Sequence, residues 1–275
     1  MAAPTSLSGR TAVITGAGSG IGRALALRLA AHGCPVALCD WDEEGVRDTA
    51  AAISGPVLTQ KLDVRDRQGQ MAFAAEVREW ASAPIGLVVN NAGVTTSQTV
   101  LDASPEDDEW CFDVNFHGVV HGTRAWLPVL HEQGSGTIAN VSSVFGLLAF
   151  PTQSAYCASK FAVRGFTEAL RHELRGSPVN AVAIHPGGIR TNIVDNARFH
   201  VDDQGGTDHA AMSRDFQKLA RTSPEKAAET IHRGVEKGKD RILIGPDAAF
   251  LSLLTRVAPV RYYDVIDKLS PLIRR

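Results

Sequence analysis

No stretch of this 275-residue sequence approaches the roughly 18 uncharged apolar residues that a membrane-spanning helix requires. The opening segment, Met1 to Arg10, lacks the continuous apolar run of a secretory signal, so a soluble, cytoplasmic protein without integral membrane contact is expected. Charge of one sign is missing as well: 28 basic and 30 acidic residues are interspersed and leave a net charge of −2. That balance gives no electrostatic footprint for nucleic acid or an anionic membrane, which leaves small molecules and copies of the chain itself as partners. Cysteine is scarce, and Cys34, Cys39, Cys111 and Cys157 show no C-x-x-C spacing. Their apolar or helical surroundings suit buried reduced thiols, and no metal centre is expected. Cys157 stands beside Tyr156, where modification of the thiol could affect activity, although packing is its first reading.

No proline-rich, serine-rich or charged linker divides the chain, and no internal repeat is visible, so residues 1–275 are expected to form one domain. What is present is an alternation. Short apolar runs rich in β-branched residues are expected as strands at 11–15, 35–39, 57–61, 86–90, 136–141, 179–184 and 241–244. Amphipathic segments are expected as helices between them at 21–31, 43–52, 67–80, 109–130, 155–174 and 224–237. Strands alternating with helices give an α/β fold, a single Rossmann-type doubly wound domain of about seven parallel strands with helices on both faces. Residues 1–8 are expected to be flexible, and residues 192–222, polar and containing Gly205 and Gly206, interrupt the rhythm and are expected as a substrate-binding loop or lid at the edge of the sheet where ligands of such folds bind.

Tyr156 and Lys160 stand four residues apart in Ser154-Ala-Tyr-Cys-Ala-Ser-Lys160, so on a helix they share a face. A free tyrosine, with a pKa of about 10, is a poor acid-base group at neutral pH, and a nearby fixed cation favours its phenolate. Taken alone the pair is weak evidence, because the spacing arises by chance on helix surfaces.

Its neighbours strengthen it. Directly after the first strand comes Thr15-Gly-Ala-Gly-Ser-Gly-Ile-Gly22, with a helix starting near Ile21. Glycines there let the backbone turn and approach a pyrophosphate at a helix N-terminus. The common G-x-G-x-x-G pattern does not fit, since it needs glycine at Ile21 or Arg23; the spacing is G-x-x-x-G-x-G from Gly16, Gly20 and Gly22. The second strand leads to Asp40, whose carboxylate can accept from ribose hydroxyls and repel a 2′-phosphate, or can serve as a cap or turn residue before Glu43. Further on come Leu62-Asp63-Val64, Asn90-Asn91-Ala92-Gly93, and His185-Pro-Gly-Gly-Ile-Arg-Thr191.

In this order the motifs resemble the classical short-chain dehydrogenase/reductases, over about residues 8–191. The resemblance implies a nicotinamide dinucleotide cofactor bound by Thr15, Gly16, Gly18, Ser19, Gly20, Ile21, Gly22, Asp40, Asp63, Val64, Asn91, Ala92, Gly93, Tyr156, Lys160, Pro186, Gly187, Ile189 and Thr191. Asp63 matches the family's adenine contact, or could cap the next helix, and the Pro186–Thr191 segment resembles the nicotinamide clamp. Trp41 follows Asp40 and Ser19 stands where NADP-binding members often carry a basic residue, so NAD is expected over NADP.

By the same resemblance Asn115, Ser143, Tyr156 and Lys160 are the catalytic residues, with Ser142 an adjacent competitor for the serine's place. Tyr156 would act as general base in oxidation and general acid in reduction, with its pKa depressed by Lys160. Ser143 would hold the substrate oxygen, and Asn115 would anchor a water linking Lys160 to solvent, unless it is merely exposed or locally bonded.

The resulting expectation is an oxidoreductase interconverting a secondary alcohol and a ketone. Phe145, Leu147, Phe150 and Phe199 suggest an apolar substrate, although aromatics near a strand end also pack cores. Two other classes compete: an NADP-linked 3-oxoacyl thioester reductase, which calls for basic residues near Ser19 and Trp41, and a catalytically silent nucleotide sensor, which calls for loss of Tyr156 or Lys160. The apolar extension 246–275 is expected as an oligomer contact, in a homodimer or homotetramer, ahead of a membrane-surface helix.

Overall fold

The computed structural model describes residues 6–273 of the chain, with side chains to residue 268. Among these residues the strands are β1 (Thr11–Thr15), β2 (Val36–Asp40), β3 (Val57–Lys61), β4 (Ile85–Asn90), β5 (Thr96–Ser97), β6 (Gly136–Val141), β7 (Val179–Pro186), β8 (Arg198–Phe199) and β9 (Arg241–Ile244). The α-helices are α1 (Gly20–Ala31), α2 (Glu43–Ala51), α3 (Arg67–Trp80), α4 (Pro105–Phe112), α5 (Gly118–Gln133), α6 (Ser154–Glu173), α7 (His209–Leu219), α8 (Pro224–Glu236), α9 (Pro246–Val257) and α10 (Tyr262–Ile273).

Seven strands form one parallel sheet in the order β3-β2-β1-β4-β6-β7-β9. The chain runs outward from β1 to β3, then returns to lay β4 on the other side of β1. The order therefore reverses between β1 and β4, and a crevice opens there beyond the carboxyl ends of the strands. Both faces are covered, as a parallel sheet requires. Ile14, Leu38, Val89 and Ile184 pack under Leu25 and Leu29 of α1 and Ile231 of α8. Val13, Ala37, Val88 and Ile138, alternating with them along the strands, pack under Phe73 of α3 and Trp126 and Leu130 of α5.

A buried polar chain pins the centre of the sheet. Asn90 Nδ2 on β4 donates to Asn140 Oδ1 on β6 at 2.8 Å, and Asn140 Nδ2 donates to Thr167 Oγ1 on α6 at 3.0 Å. A one-residue slip of either strand would break it.

The expected strands are present, with ends moved by one or two residues. The expected helix over 109–130 is instead two. It starts earlier, at Pro105, because Ser104 Oγ accepts from Asp107 N at 3.3 Å and proline suits the first helical position. It is then interrupted by a turn of π-helix at Asp113–His117, the stretch that carries Asn115. Residues 192–222 are not loop throughout: β8 pairs in parallel with β5, and α7 is capped by Asp208, whose Oδ1 accepts from Ala211 N at 2.9 Å. Flexibility over residues 1–8 does not extend to Leu7, which is 3% exposed and whose N–H donates to Glu236 Oε1; residues 1–5 lie outside the described residues. All four cysteines are free and buried, and among the described residues no helix is long and apolar enough to cross a membrane.

Candidate active site

At the crevice, the glycine loop between β1 and α1 lies directly on the turn after β4. Thr15 Oγ1 accepts from Asn91 N at 3.0 Å and Ala92 N at 3.1 Å, and Asn91 Nδ2 donates back to the carbonyls of Thr15 and Gly16. Gly16 has φ +66°, and a Cβ there would lie 2.8 Å from Ala92 Cα. At Gly22 a Cβ would lie 2.0 Å from the Gly16 carbonyl oxygen. Both positions thus demand glycine for close backbone approach, leaving a cradle at the start of α1 that a side chain would fill.

Asp40, 9% exposed, ends β2 beside this cradle. Its Oδ2 accepts from Gly18 N at 2.8 Å and its Oδ1 from Asp42 N at 3.0 Å. Burial raises its pKa above the usual carboxylate range, against those backbone donors. The cap of α2 is Asp42, which accepts from Gly45 N, so Asp40 acts in the turn and not as the cap. Asp63 does not cap α3 either; that role falls to Asp66. The Asp63 carboxylate is gripped by Arg65 at 2.6 Å, and this hydrogen bond lowers its pKa. Val64 is buried and fills the space above Gly118.

On the other side of the crevice, β6 ends in Ser142 and Ser143, which have different partners. Ser142 Oγ donates to the Lys160 carbonyl at 2.8 Å. Ser143 Oγ accepts from Phe145 N at 3.1 Å, and its side chain favours ionisation of the Tyr156 phenol. Lys160 is 2% exposed; its Nζ donates to the Val141 carbonyl at 3.1 Å and lies 5.7 Å from the centre of the Tyr156 ring. Gly93 passes over these groups, where a Cβ would lie 3.0 Å from Asn115 Oδ1 and 3.2 Å from Lys160 Nζ.

Asn115 is not exposed, and beyond a local bond from its Nδ2 to Cys111 Sγ at 3.3 Å its partners are remote in sequence. It is fully buried, its Nδ2 donates to the Val94 carbonyl and to Ser159 Oγ, and its Oδ1 accepts from Val94 N. The structure thus brings Gly93, Asn115, Ser143, Tyr156 and Lys160 together.

The electrostatics differ from the expectation of a lysine-depressed phenol. Burial pushes the Tyr156 pKa above that of a free phenol, against the opposing influence of the Ser143 side chain. Lys160 is itself starved of water, and burial lowers its pKa to about 8. Desolvation dominates both groups because neither faces an opposite protein charge at close range.

The segment after β7 closes the crevice. Thr191 reaches the glycine loop, its Cγ2 lying 3.1 Å from where a Cβ on Gly20 would stand. Ile189, 3% exposed, bridges to Thr222, while Gly188 N donates to Asp247 Oδ2 at 2.6 Å. Asp247 belongs to the C-terminal extension, and nothing local in the sequence marks it. His185 was also silent: its Nδ1 donates to the Ser143 carbonyl at 2.9 Å while its Nε2 is buried without a partner, and burial lowers its pKa to about 4.

Aromatic rings line the approach to Tyr156. Phe145 meets Tyr156 edge-on at 6.1 Å and stacks on Phe150 at 5.7 Å, and Phe150 meets Tyr263 of α10 at 5.9 Å. Leu147 is buried, and Phe199 stacks on His209. His117 and His121 stand four residues apart, a spacing that metal-binding helices use, but their rings stack at 6.4 Å and no third ligand joins them among the described residues.

The cradle, the carboxylate at its rim and the buried Tyr156 and Lys160 fit a nicotinamide dinucleotide. Comparison with known proteins agrees with this geometry. Residues 10–201 match the sequence model described as short chain dehydrogenase. The Mycobacterium tuberculosis protein named "Putative oxidoreductase SadH" is 44% identical over 269 residues, 95% of each chain. A short-chain dehydrogenase/reductase from Burkholderia phymatum, solved with NAD, superposes with a TM-score of 0.81 at 30% identity, covering 96% of each chain. One from Burkholderia cenocepacia, solved with NADP, gives 0.74 at 25% identity, covering 93% of this chain and 96% of that one. Fold, motif order and relatives converge: this chain belongs to the short-chain dehydrogenase/reductase family of oxidoreductases.

Proposed function

We propose that the chain is an NAD(H)-preferring oxidoreductase that interconverts an apolar secondary alcohol and its ketone, with Tyr156 as general acid and base. The observation that carries this reading is the burial of Tyr156 beside Lys160, whose Nζ lies 5.7 Å from the centre of the phenol ring. A bound nicotinamide supplies or accepts the hydride. Tyr156 gives a proton to the carbonyl oxygen in reduction and takes it from the hydroxyl in oxidation. Ser143 Oγ already accepts from Phe145 N, which leaves its own proton free for the substrate oxygen. Lys160, anchored on the Val141 carbonyl, supports the phenolate when it forms. Asn115 fixes the strand end at Val94 and thereby holds Gly93 over the lysine.

Preference for NAD rests on Asp40, which accepts from the glycine loop and is followed by Trp41, 76% exposed, where no basic side chain stands to meet a 2′-phosphate. The aromatic approach formed by Phe145, Phe150 and Tyr263 supports an apolar substrate. Titration with NADH and with NADPH, followed by nicotinamide fluorescence, tests the assignment. Tighter NADH binding that disappears in Asp40→Ala supports it, and tighter NADPH binding overturns it.

The same reading makes the protein cytoplasmic and homo-oligomeric. Its buried thiols, raised by burial, suit a reducing compartment, and Phe250, Leu253 and Val257 leave an exposed apolar row along α9, extended by Val260 beyond it, for a second copy.

A further inference from the structure

The carboxylate of Asp247 is wedged between two glycines, Gly187 and Gly245, and held by the backbone of a third, Gly188. A Cβ on Gly187 would lie 2.1 Å from Asp247 Oδ2, and one on Gly245 would lie 2.3 Å from Oδ1. Gly188 donates its N–H to Oδ2 at 2.6 Å, a short, charge-assisted bond. Gly187 is absent from the positive-φ residues, so its lack of a side chain answers to space and not to backbone conformation. Gly245 has φ +96° and begins α9. Two positions thus give up a side chain to one carboxylate, which Asp247 presents from the first turn of α9.

What the carboxylate holds is the entrance to the segment Pro186–Thr191. That segment has few other ties. Gly187 N donates to the Ile244 carbonyl at 2.9 Å, Arg190 N to the Thr222 carbonyl at 3.0 Å, Thr222 N to the Gly188 carbonyl at 3.3 Å, and Gln217 Nε2 to the Thr191 carbonyl at 3.0 Å. Each of these anchors lies after residue 192, in α7, β9 and the turn between them, so the segment is suspended from the C-terminal third of the chain. The Asp247 contact is the shortest of these five and the one that carries a formal charge.

We propose that Asp247 is a positioning residue that sets the Pro186–Thr191 segment at the height needed to grip the nicotinamide end of the cofactor. This rests on the dinucleotide reading above, and it gives the C-terminal extension a task inside its own subunit. Because the segment would touch only the nicotinamide half, loss of the carboxylate should be felt by the whole dinucleotide and not by its adenosine half.

The test compares NADH with ADP-ribose, which lacks the nicotinamide, on wild type, Asp247→Ala and Asp247→Asn, with circular dichroism and thermal unfolding on all three. Asp247→Ala should weaken NADH by about tenfold and leave ADP-ribose within about twofold of wild type, and Asp247→Asn, which keeps an acceptor oxygen, should recover most of the loss. Equal weakening of both ligands, no weakening of either, failure of Asn to rescue, or loss of folding in both variants overturns the positioning role. Wild-type protein that binds neither ligand overturns the dinucleotide reading itself, whereas wild-type binding with an indifferent Asp247→Ala leaves that reading standing and removes Asp247 alone.

Discussion

Asn115 and Val94 are joined twice: the asparagine's Oδ1 accepts from Val94 N at 2.9 Å and its Nδ2 donates to the Val94 carbonyl at 2.9 Å. The amide thus pairs with the backbone as a strand neighbour would. Asn115→Ala removes these two bonds together with those to Ser159 Oγ and Cys111 Sγ and leaves the Val94 groups unpaired, which costs roughly 1–3 kcal/mol for each buried group left without a partner. The expected result is a lower melting temperature together with reduced turnover. Asn115→Asp, which cannot donate through Nδ2, should be nearly as damaging.

Tyr156→Phe keeps the ring packed against Phe145 and removes only the hydroxyl. Turnover should fall by roughly 10²–10⁴-fold, the usual range for a lost general acid-base group, while NADH affinity stays close to wild type. Steady-state kinetics with a fluorescence titration checks both halves; retained turnover would remove Tyr156 from the chemistry.

The direction of the Tyr156 shift fixes a pH dependence. Burial raises the phenol's pKa, so the protonated form prevails at neutral pH and is ready to donate. Alcohol oxidation, which needs the phenolate to accept the proton, should therefore quicken as pH rises above neutrality, while ketone reduction, which needs the protonated phenol, should stay nearly flat. Initial rates in both directions across pH 6 to 10 measure this, and parallel profiles would refute it.

His185 links acid stability to the site. Its pKa falls from the ordinary 6.5 to about 4 because burial disfavours the imidazolium, with Arg241 and Arg164 adding to the effect and Glu168 and the Ser143 carbonyl opposing it. Between these values the unfolded chain binds more protons than the folded one, so stability is present above pH 6.5 and is lost as pH falls toward 4. The loss is of the order of 3 kcal/mol. Chemical denaturation at pH 7 and pH 5 should show a smaller difference for His185→Asn than for wild type.

Removal of residues after Pro259 deletes α10, and with it Tyr262, whose hydroxyl accepts from Ala149 N at 3.1 Å, and the Tyr263 ring against Phe150. The truncated protein should sediment as a smaller species and show a higher KM for bulky apolar substrates. An unchanged mass would refute the intersubunit contact, and an unchanged KM would refute the aromatic wall.

What the sequence made legible was what local spacing controls. The sheet strands follow from β-branched runs, and the glycine loop and the Tyr156–Lys160 pair follow from helix and turn geometry. Ser143 was separable from Ser142 only by its distance from Tyr156, and the structure shows the physical difference, since Ser142 is spent on the Lys160 carbonyl. The start of α4 could have been read from Ser104-Pro105, a cap followed by a first-turn proline. The π turn could not, because it depends on Asn115 reaching Val94 across 21 residues. Nor could Asp247, whose partner Gly188 lies 59 residues away and whose role exists only once β7 and β9 are side by side.

The π turn between α4 and α5 is a phase shift. Each residue of an α-helix advances the side-chain direction by about 100°. The wider turn at Asp113–His117 therefore sets the faces of α4 and α5 out of step with a continuous helix. That offset lets Cys111 and Asn115 face the crevice while Trp126 and Leu130, on the same continuous stretch of chain, face the sheet. Deleting one residue here would rotate one set against the other, so this chain should tolerate many substitutions across residues 113–117 better than it tolerates any change in their number.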